Sequence, residues 1–304
     1  MTATVGYLGP AGTFTHQGLL SLDVGEGQPF ASVIAALTAV RDGTVEQAVV
    51  PFENSVEGGV SATLDNLSGP EPLMINREVD VPVQFSLVAR PGTTLSEVRT
   101  VLTHPHASAQ CRRWLAREIP GATIHDASST AGAAQEVAEE GRFDAAICAA
   151  VAGDMYGLEH LVRGIADNEE ATTRFVLVSR LGTPAAPTGR DKTTIVAYIY
   201  ADHAGELLHI LQQFAARGVN LTRLESRPTR TSLGSYCFSI DFEGHVADER
   251  VAETLKGLKR TCKKVEFLGS YPQAKPTQMP LGRGFADADF VAAQQWLDQI
   301  RGGA

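Results

Sequence analysis

The chain has 304 residues, of which 43% are hydrophobic and 20% are charged, and its formal net charge is −9. These values are ordinary for a globular protein, so wholesale disorder is excluded and the length suffices for two or three domains. The sequence contains no run of basic residues and no apolar stretch of about 18 residues, so neither a nucleic-acid surface nor a membrane span is expected.

The first part of the chain alternates short apolar runs with segments of helical spacing. This order is typical of an α/β fold with largely parallel sheets. The predicted strands are Val5–Leu8, Gln47–Pro51, Val81–Val83 within the apolar segment Asn76–Ala89, Thr123–Ala127, Ala145–Cys148 and Arg174–Ser179. The predicted helices are His16–Leu22, Val33–Arg41, Ala107–Glu118 and Thr130–Glu140.

A second pattern follows Gly182–Asp191, which carries two prolines and two glycines and is interpreted as a linker. Its element order predicts a βαββαβ unit of the ferredoxin-like kind. Its strands are Thr193–Tyr200, Leu221–Arg230, Tyr236–Phe242 and Val265–Tyr271, its helices are Glu206–Arg217 and Val251–Cys262, and Thr231–Ser235 forms a hairpin-like turn. The tail contains prolines and then an amphipathic helix, Asp287–Ile300.

Several predicted strands end in loops suited to an anion. Gly9–Thr15 joins a strand to a helix, and its glycines and the unpaired N–H groups of the helix start can approach a negative ligand. Thr103 and Ser128–Thr130 also precede helices. Each loop alone is explained as an ordinary helix cap. Their recurrence at the carboxyl ends of strands favours a ligand site, because open α/β sheets bind ligands there.

Two further segments each place several different functional groups at adjacent positions. A carboxylate, an amide and a hydroxyl follow a buried strand at Pro51–Gly58, where a capped helix with a solvated Glu is the alternative. Thr172–Phe175 offers a hydroxyl, a guanidinium that can grip a carboxylate, and an aromatic ring. These groups suit an aromatic or cyclohexadienyl carboxylate, and an edge Arg beside a core Phe is the alternative.

Metal chemistry has little support in the sequence. The four cysteines are far apart and form no Cys-x-x-Cys pair, so neither a zinc cluster nor a disulfide framework is expected. His104 and His106 have no apparent third ligand nearby, so they are interpreted as loop histidines. The acidic segment Asp167–Glu170 is interpreted as a solvated loop.

Taken together, these motifs resemble the prephenate dehydratases that carry a C-terminal ACT regulatory domain, over about residues 4–272. The matching segments keep the family's order and sensible spacing. They are Gly9–Thr15 (G-P-x-G-T-F-T), Glu53–Ser55 (E-N-S), His104–Cys111 (H-P-x-x-x-x-Q-C), Thr173–Phe175 (T-R-F) and Glu225–Pro228 (E-S-R-P).

The resemblance implies a two-lobed catalytic domain like the type II periplasmic binding proteins, followed by an α+β ferredoxin-like ACT domain. The catalytic domain would cover residues 1–181, with lobes at roughly 1–76 plus 169–181 and at 77–168. A linker at 182–192, the ACT domain at 193–271 and a tail with a short helix at 272–304 would follow. For the tail helix three alternatives stay open: it caps the catalytic domain, it packs between subunits, or the tail is mobile in solution.

The activity implied is a hydro-lyase reaction, in which prephenate becomes phenylpyruvate, carbon dioxide and water during L-phenylalanine biosynthesis. No cofactor and no metal are implied. L-phenylalanine would act as an allosteric effector, and the chain would form a homo-oligomer, a dimer or a tetramer, through its ACT domains. An arogenate dehydratase and a non-catalytic amino-acid-sensing or binding protein of the same fold remain alternatives. Neither a signal peptide nor a fused chorismate mutase is expected before the first motif, and a cytoplasmic enzyme is expected.

The resemblance also assigns residues. Thr173 is the expected catalytic hydroxyl, and Glu53 is a candidate proton source. Substrate-binding roles fall on Thr13, Asn54, Ser55, Thr103, Gln110, Ser129, Thr130, Arg174 and Phe175. Effector binding falls on Ala204, Gly205, Glu206, Leu207, Glu225, Ser226, Arg227 and Pro228. Glu206 departs from the family, because a small apolar residue stands there in the family's pattern. The charge either favours the helix N-terminus or alters the affinity for, or the choice of, the effector.

Overall fold

The computed structural model describes residues 4–200, 203–229, 236–276 and 281–302. The chain divides into two compact units. The first consists of the described residues within Met1–Thr63 and Val79–Leu177, and the second of those within Leu64–Glu78 and Val178–Ala304. None of the described helices combines the length and the apolar character that a membrane span requires.

Strands and helices are numbered in chain order. The strands are β1 Thr4–Leu8, β2 Glu26–Phe30, β3 Gln47–Asn54, β4 Gly58–Gly59, β5 Leu73–Pro82, β6 Phe85–Ala89, β7 Thr100–Thr103, β8 Thr123–Asp126, β9 Ala145–Ala149, β10 Glu159–Arg163, β11 Thr172–Arg180, β12 Asp191–Tyr198, β13 Leu221–Pro228, β14 Tyr236–Glu243 and β15 Lys264–Pro272. The helices are α1 Phe14–Leu22, α2 Val33–Arg41, α3 Ser61–Leu67, α4 Pro105–Gln110, α5 Arg112–Glu118, α6 Thr130–Glu139, α7 Ala150–Met155, α8 Glu206–Ala215, α9 Glu249–Thr261 and α10 Asp287–Gly302.

One sheet, which contains β1 to β4 of the first unit, has the order β2-β1-β3-β11-β5, with the short β4 beside β3. Strand β1 runs parallel to both β2 and β3, as expected for strands joined through helices. Helix α1 begins where the Thr13 side chain accepts a hydrogen bond from the His16 amide, and the Ser32 hydroxyl caps α2 in the same way. The apolar side chains of β1 and α1, including Val5 and Leu19, form one core cluster.

The other sheet of the first unit has the order β10-β6-β9-β7-β8. Strand β7 is parallel to β8 and β9, whereas β6 is antiparallel to β9 and β10. All five residues of β9 are buried and three of them are Ala, so the alanine-rich α6 packs closely on it. Two sheets with their own helices confirm the predicted two-lobed α/β class.

The second unit carries a four-stranded antiparallel sheet in the order β13-β14-β12-β15, with α8 after β12 and α9 after β14. Ile210, Phe214 and Leu258 of the two helices are buried against one face of the sheet. The predicted βαββαβ unit is therefore confirmed. Helix α10 runs beside α9, and the amide of Glu249 donates to the Asp287 carboxylate at 3.0 Å, so the tail helix lies against the ferredoxin-like unit.

Some element bounds differ from those predicted. The single helix Ala107–Glu118 is interrupted at Cys111, where φ is −115° and ψ is 10°, and Pro105 starts the first piece. Strand β3 continues to Asn54 instead of ending at Pro51, so the Glu53–Ser55 motif begins inside the sheet. Strands β2 and β10 and helix α3 were not predicted. The predicted turn Thr231–Ser235 lies outside the described residues.

Candidate functional site

A cavity of about 420 Å³ lies in the first unit and is lined from both of its sheets. Its apolar wall includes Phe14 and Phe85, whose rings meet edge to face with centroids 5.3 Å apart. Six polar residues proposed from sequence also line it, namely Thr13, Asn54, Gln110, Ser129, Thr130 and Thr173. An apolar wall with a few convergent polar groups is typical of a small-molecule site.

Asn54 and Thr173 form the central polar pair of this cavity. The Asn54 Nδ2 donates to Thr173 Oγ1 at 2.9 Å, although 119 residues separate them in sequence. The amide is held in this direction because Asn54 Oδ1 accepts from the backbone N–H of Val56 at 2.8 Å and of Glu57 at 3.1 Å. Since the Thr173 oxygen accepts this bond, its proton can be donated to a molecule in the cavity.

The glycine-containing loop before α1 is held tightly. Gly12 has φ +85°, and a Cβ at this position would lie 3.0 Å from the Ala152 side chain and 3.4 Å from that of Ala131. Its amide donates to His16 Nδ1 at 3.1 Å. Burial lowers the pKa of His16, which favours the neutral imidazole that accepts this bond. The loop therefore has little room to widen.

Helices α4 and α6 supply another part of the cavity lining. Ser129 caps α6 by accepting from the Gly132 amide at 2.9 Å, so its side chain also orients the helix start that faces the cavity. Gln110 lies at the last position of α4. His104, His106 and Glu57 also line the cavity, although they were not proposed as site residues. The only sequence signal for Glu57 was its place in the Pro51–Gly58 loop.

Other residues proposed from sequence lie outside the cavity lining. Thr103 is fully buried and donates to the Ile147 carbonyl at 2.7 Å. Phe175 is 2% exposed and packs against Gly18 of α1. The Ser55 hydroxyl accepts from the Thr172 amide at 3.0 Å and so fastens β3 to β11. Their assignment to substrate binding stays a prediction.

Glu53 and Arg174 form a separate charged pair beside the cavity lining. Arg174 Nη1 lies 3.5 Å from Glu53 Oε2, and the guanidinium lies over the Phe52 ring at 4.6 Å from its centroid. Only 8% of Arg174 is exposed. Such a pair is held by charge and by cation–π attraction together. The roles proposed for Glu53 and Arg174 also stay predictions.

Cys111 ends the His-Pro motif but is not a reactive thiol. Burial raises the pKa of its thiol to about 12, and the negative charge of Asp167 adds to the effect. The thiolate, which is the nucleophilic form, is therefore scarce at neutral pH. Among the described residues, no group of three or more His, Cys, Asp and Glu side chains is arranged to hold a metal.

The residues proposed for effector binding lie in the second unit. Gly205 has φ +98° and begins α8, and Ala204 and Leu207 beside it are exposed. Glu225, Ser226, Arg227 and Pro228 end β13, the edge strand of the sheet. Arg227 Nη1 bonds to Glu225 at 3.0 Å and Arg227 Nη2 bonds to Asp65 of α3 at 2.6 Å. This motif is thus built into a network of charges.

Comparison with known proteins gives consistent results. The family model described as prephenate dehydratase matches residues 5–183, and the ACT domain model matches residues 193–260. A curated prephenate dehydratase from Mycobacterium marinum is 44% identical over 314 residues, which cover 99% of this chain and 96% of that protein.

Two solved structures extend the comparison. The prephenate dehydratase of Arthrobacter aurescens, in complex with L-Phe, is 46% identical with a TM-score of 0.91, over 98% of this chain and 99% of that chain. GqqA, described as a novel type of quorum quenching acylase, is 32% identical with a TM-score of 0.78, over 88% of this chain and 97% of that chain.

The two-sheet unit with its polar cavity and the ferredoxin-like unit define an α/β enzyme with an attached ACT domain. The chain belongs to the prephenate dehydratase family, whose members are hydro-lyases.

Proposed function

We propose that prephenate binds in the cavity of the first unit and leaves as phenylpyruvate after losing carbon dioxide and water. The observation that carries this proposal is the Asn54–Thr173 hydrogen bond of 2.9 Å at the cavity wall. Because Thr173 Oγ1 accepts this bond, its own proton is left for another acceptor, which supports the proposed role of Thr173 as donor to the leaving group. Formation of an aromatic ring supplies most of the driving force, so the site has to position and polarise the substrate more than to activate it.

The proposed reaction breaks two bonds. As the ring carboxylate departs as carbon dioxide, its bonding electrons enter the ring, and the bond from the ring to the hydroxyl breaks. Thr173 donates a hydrogen bond to the departing oxygen, which takes up a proton and leaves as water. Glu53 remains our candidate for the source of that proton, and a changed pH profile in Glu53→Gln would support it.

The remaining cavity residues support binding. The Phe14–Phe85 pair offers an apolar surface for the ring. The amides at the starts of α1 and α6 favour negative charge, and Thr13, Ser129 and Thr130 lie at those two ends. Gln110 adds a neutral amide that can hydrogen-bond a hydroxyl or carboxylate.

We also propose that L-phenylalanine binds to the ACT domain at the Gly205 turn and the Glu225–Pro228 motif, and that a second copy of the chain completes the site. Strand β13 ends the sheet order, so among the described strands its outer edge has no neighbour. Leu224 and Tyr236 are exposed at 39% each near this edge. An unpaired edge with apolar side chains is suited to pairing with another sheet. The dimer or tetramer and the cytoplasmic location stay predictions.

The test is phenylpyruvate formation from prephenate by chelator-treated protein, followed by ultraviolet absorbance with and without L-phenylalanine. Product that phenylalanine suppresses is expected. Product without suppression would support the proposed reaction and contradict phenylalanine as the effector. Glu206 would then be the first residue to examine as the cause. No product from folded protein would contradict the proposal and would move attention to arogenate, and then to a sensor without catalysis.

A further inference from the structure

A histidine–carboxylate pair lies at the cavity wall without an evident structural task. Glu57 Oε1 lies 3.0 Å from His106 Nδ1, and the two side chains are 54% and 65% exposed. Pairs this exposed contribute little to folding stability, because water competes for both partners and ordering the side chains costs entropy. Both residues line the cavity. Their position therefore calls for an explanation in terms of what the cavity binds.

The charges of the cavity lining are few. Among the described residues of this lining, the ionisable ones are Glu57, His104 and His106, so of these only a histidine, when protonated, can present a full positive charge. Arg174 lies outside the lining, buried over Phe52 and beside Glu53. A substrate with two carboxylates must meet positive charge somewhere, because an unpaired carboxylate taken out of water is costly.

We propose that His106 is a substrate-binding residue that pairs with the carboxylate kept by the product, and that Glu57 occupies this place while the cavity is empty. This inference rests on the proposed function. The Glu57 carboxylate is then a competitor that the substrate displaces. Its exposure of 54% allows it to swing into solvent once His106 has a new partner.

The choice of carboxylate follows from the chemistry. The ring carboxylate loses its charge as it becomes carbon dioxide, so a cation beside it would stabilise the starting state more than the transition state and slow the reaction. The pyruvyl carboxylate keeps its charge throughout. A cation there improves binding without opposing the chemical step. His106 is thus expected to affect KM and to leave kcat nearly unchanged.

The loop that follows β3 connects the Glu57–His106 pair to the Thr173 hydroxyl. The Glu57 backbone N–H donates to Asn54, and Asn54 donates to Thr173. The Glu57 side chain can therefore leave His106 while its backbone stays fixed on Asn54. An exchange of carboxylates at His106 leaves the Asn54–Thr173 pair in place.

Two substitutions give opposite predictions. His106→Gln removes the imidazole that pairs with the carboxylate, and we expect KM for prephenate to rise roughly ten-fold with kcat within about two-fold of the parent. Glu57→Gln removes the competing carboxylate, and we expect KM to fall roughly two- to three-fold. His106→Lys, which restores a positive charge, should recover part of the affinity. A purely structural pair would respond alike to the loss of either partner.

Binding of phenylpyruvate, measured by calorimetry, tests the inference apart from turnover. Its affinity should fall in His106→Gln and rise in Glu57→Gln, whereas phenylacetone, which lacks the carboxylate, should show neither change. Glu136→Gln is the matched control. Glu136 lies on α6, outside the cavity lining, and its carboxylate is 2.7 Å from the exposed Arg142. Equal or like-signed shifts in the two test variants would overturn the inference. Absence of turnover in the parent, with the opposite binding shifts intact, would instead refute only the proposed reaction.

Discussion

The guanidinium of Arg227 holds the Asp65 carboxylate through two nitrogens, with Nη2 at 2.6 Å and Nε at 3.2 Å from Oδ1. Arg227 belongs to the end of β13 and Asp65 to helix α3, and their side chains are only 16% and 13% exposed. Burial opposes the positive charge, but the hydrogen bonds with Asp65 and Glu225 outweigh it and raise the pKa of Arg227. The pair therefore stays ionised and links Asp65 to the sheet within the second unit.

Loss of this pair should destabilise the second unit. For Asp65→Asn we expect the free energy of unfolding to fall by about 2 kcal/mol, because Arg227 keeps its charge with one fewer anionic partner. Denaturant unfolding followed by circular dichroism measures the change. Glu253→Gln is the control, since its pair with Lys256 is exposed at 38% and 61% and should change stability by less than about 0.5 kcal/mol. Equal effects in both variants would contradict this account.

The hydroxyl of Thr173 should be needed for turnover and not for folding. For Thr173→Ala we expect kcat to fall roughly 100- to 1000-fold, as when one donor to a developing charge is removed. Far-ultraviolet circular dichroism and the unfolding midpoint should stay close to the parent. Thr172→Val serves as the control, because that hydroxyl bonds the Glu170 carbonyl at 3.2 Å and should have little effect on kcat. A fully active Thr173→Ala protein would remove Thr173 from the reaction.

Gly12 should not tolerate a side chain. In Gly12→Ala the added Cβ would meet Ala152 at 3.0 Å and its backbone at 3.2 Å, so we expect a loss of about 2–3 kcal/mol in stability together with weaker substrate binding. Gly92→Ala separates crowding from backbone strain, because Gly92 has the same φ of +85° and no atom within 4 Å of the added Cβ. It should cost about 1 kcal/mol and leave KM unchanged. Similar KM values for both variants would show that the close approach at Gly12 is unimportant.

Stability should fall at alkaline pH. Burial raises the pKa of the Cys148 thiol from 9.0 to about 12, because the thiolate is disfavoured inside the protein. Between these values the folded state binds more protons than the unfolded state. The stability that this thiol contributes is therefore fully present below pH 9 and is lost as the pH rises toward 12. Denaturant unfolding at pH 8 and at pH 10.5 should show the decline. Cys148→Ala should reduce the slope, and an unchanged slope would refute the assignment to this thiol.

The sequence predicted the helices and strands that have a strong apolar periodicity. It failed for elements whose conformation depends on packing or pairing with neighbouring elements. Helix α6 was recognised from its amphipathic helical pattern, and strand β9 from its continuous apolar residues. Strand β2, with the sequence EGQPF, was missed because four of its five residues are exposed and its structure comes from pairing with β1. Helix α3 was missed because only seven residues form it, too few for a helical period to be evident.

The sequence was sufficient to predict which loops form the site, but not the direction in which each side chain points. Thr13, Asn54 and Thr173 were placed together from motifs, and they do line one cavity. Thr103 and Phe175 belong to equally well-formed motifs, yet their side chains enter the interior of the sheets. Which way a side chain at a strand end points depends on register and on the helix packed against it. No pattern in a single sequence reports this.

A hydrogen bond at the start of α4 fixes where the proton of the His104 ring lies. His104 Nδ1 accepts from the backbone N–H of His106 at 3.2 Å, so in the neutral ring the hydrogen is carried by Nε2. A ligand that contacts Nε2 would thus meet His104 as a hydrogen-bond donor, and a ligand atom that needs an acceptor would gain nothing from this nitrogen. The tautomer of one side chain is chosen by the backbone two residues away, and selectivity for electron-rich ligands follows without any net charge.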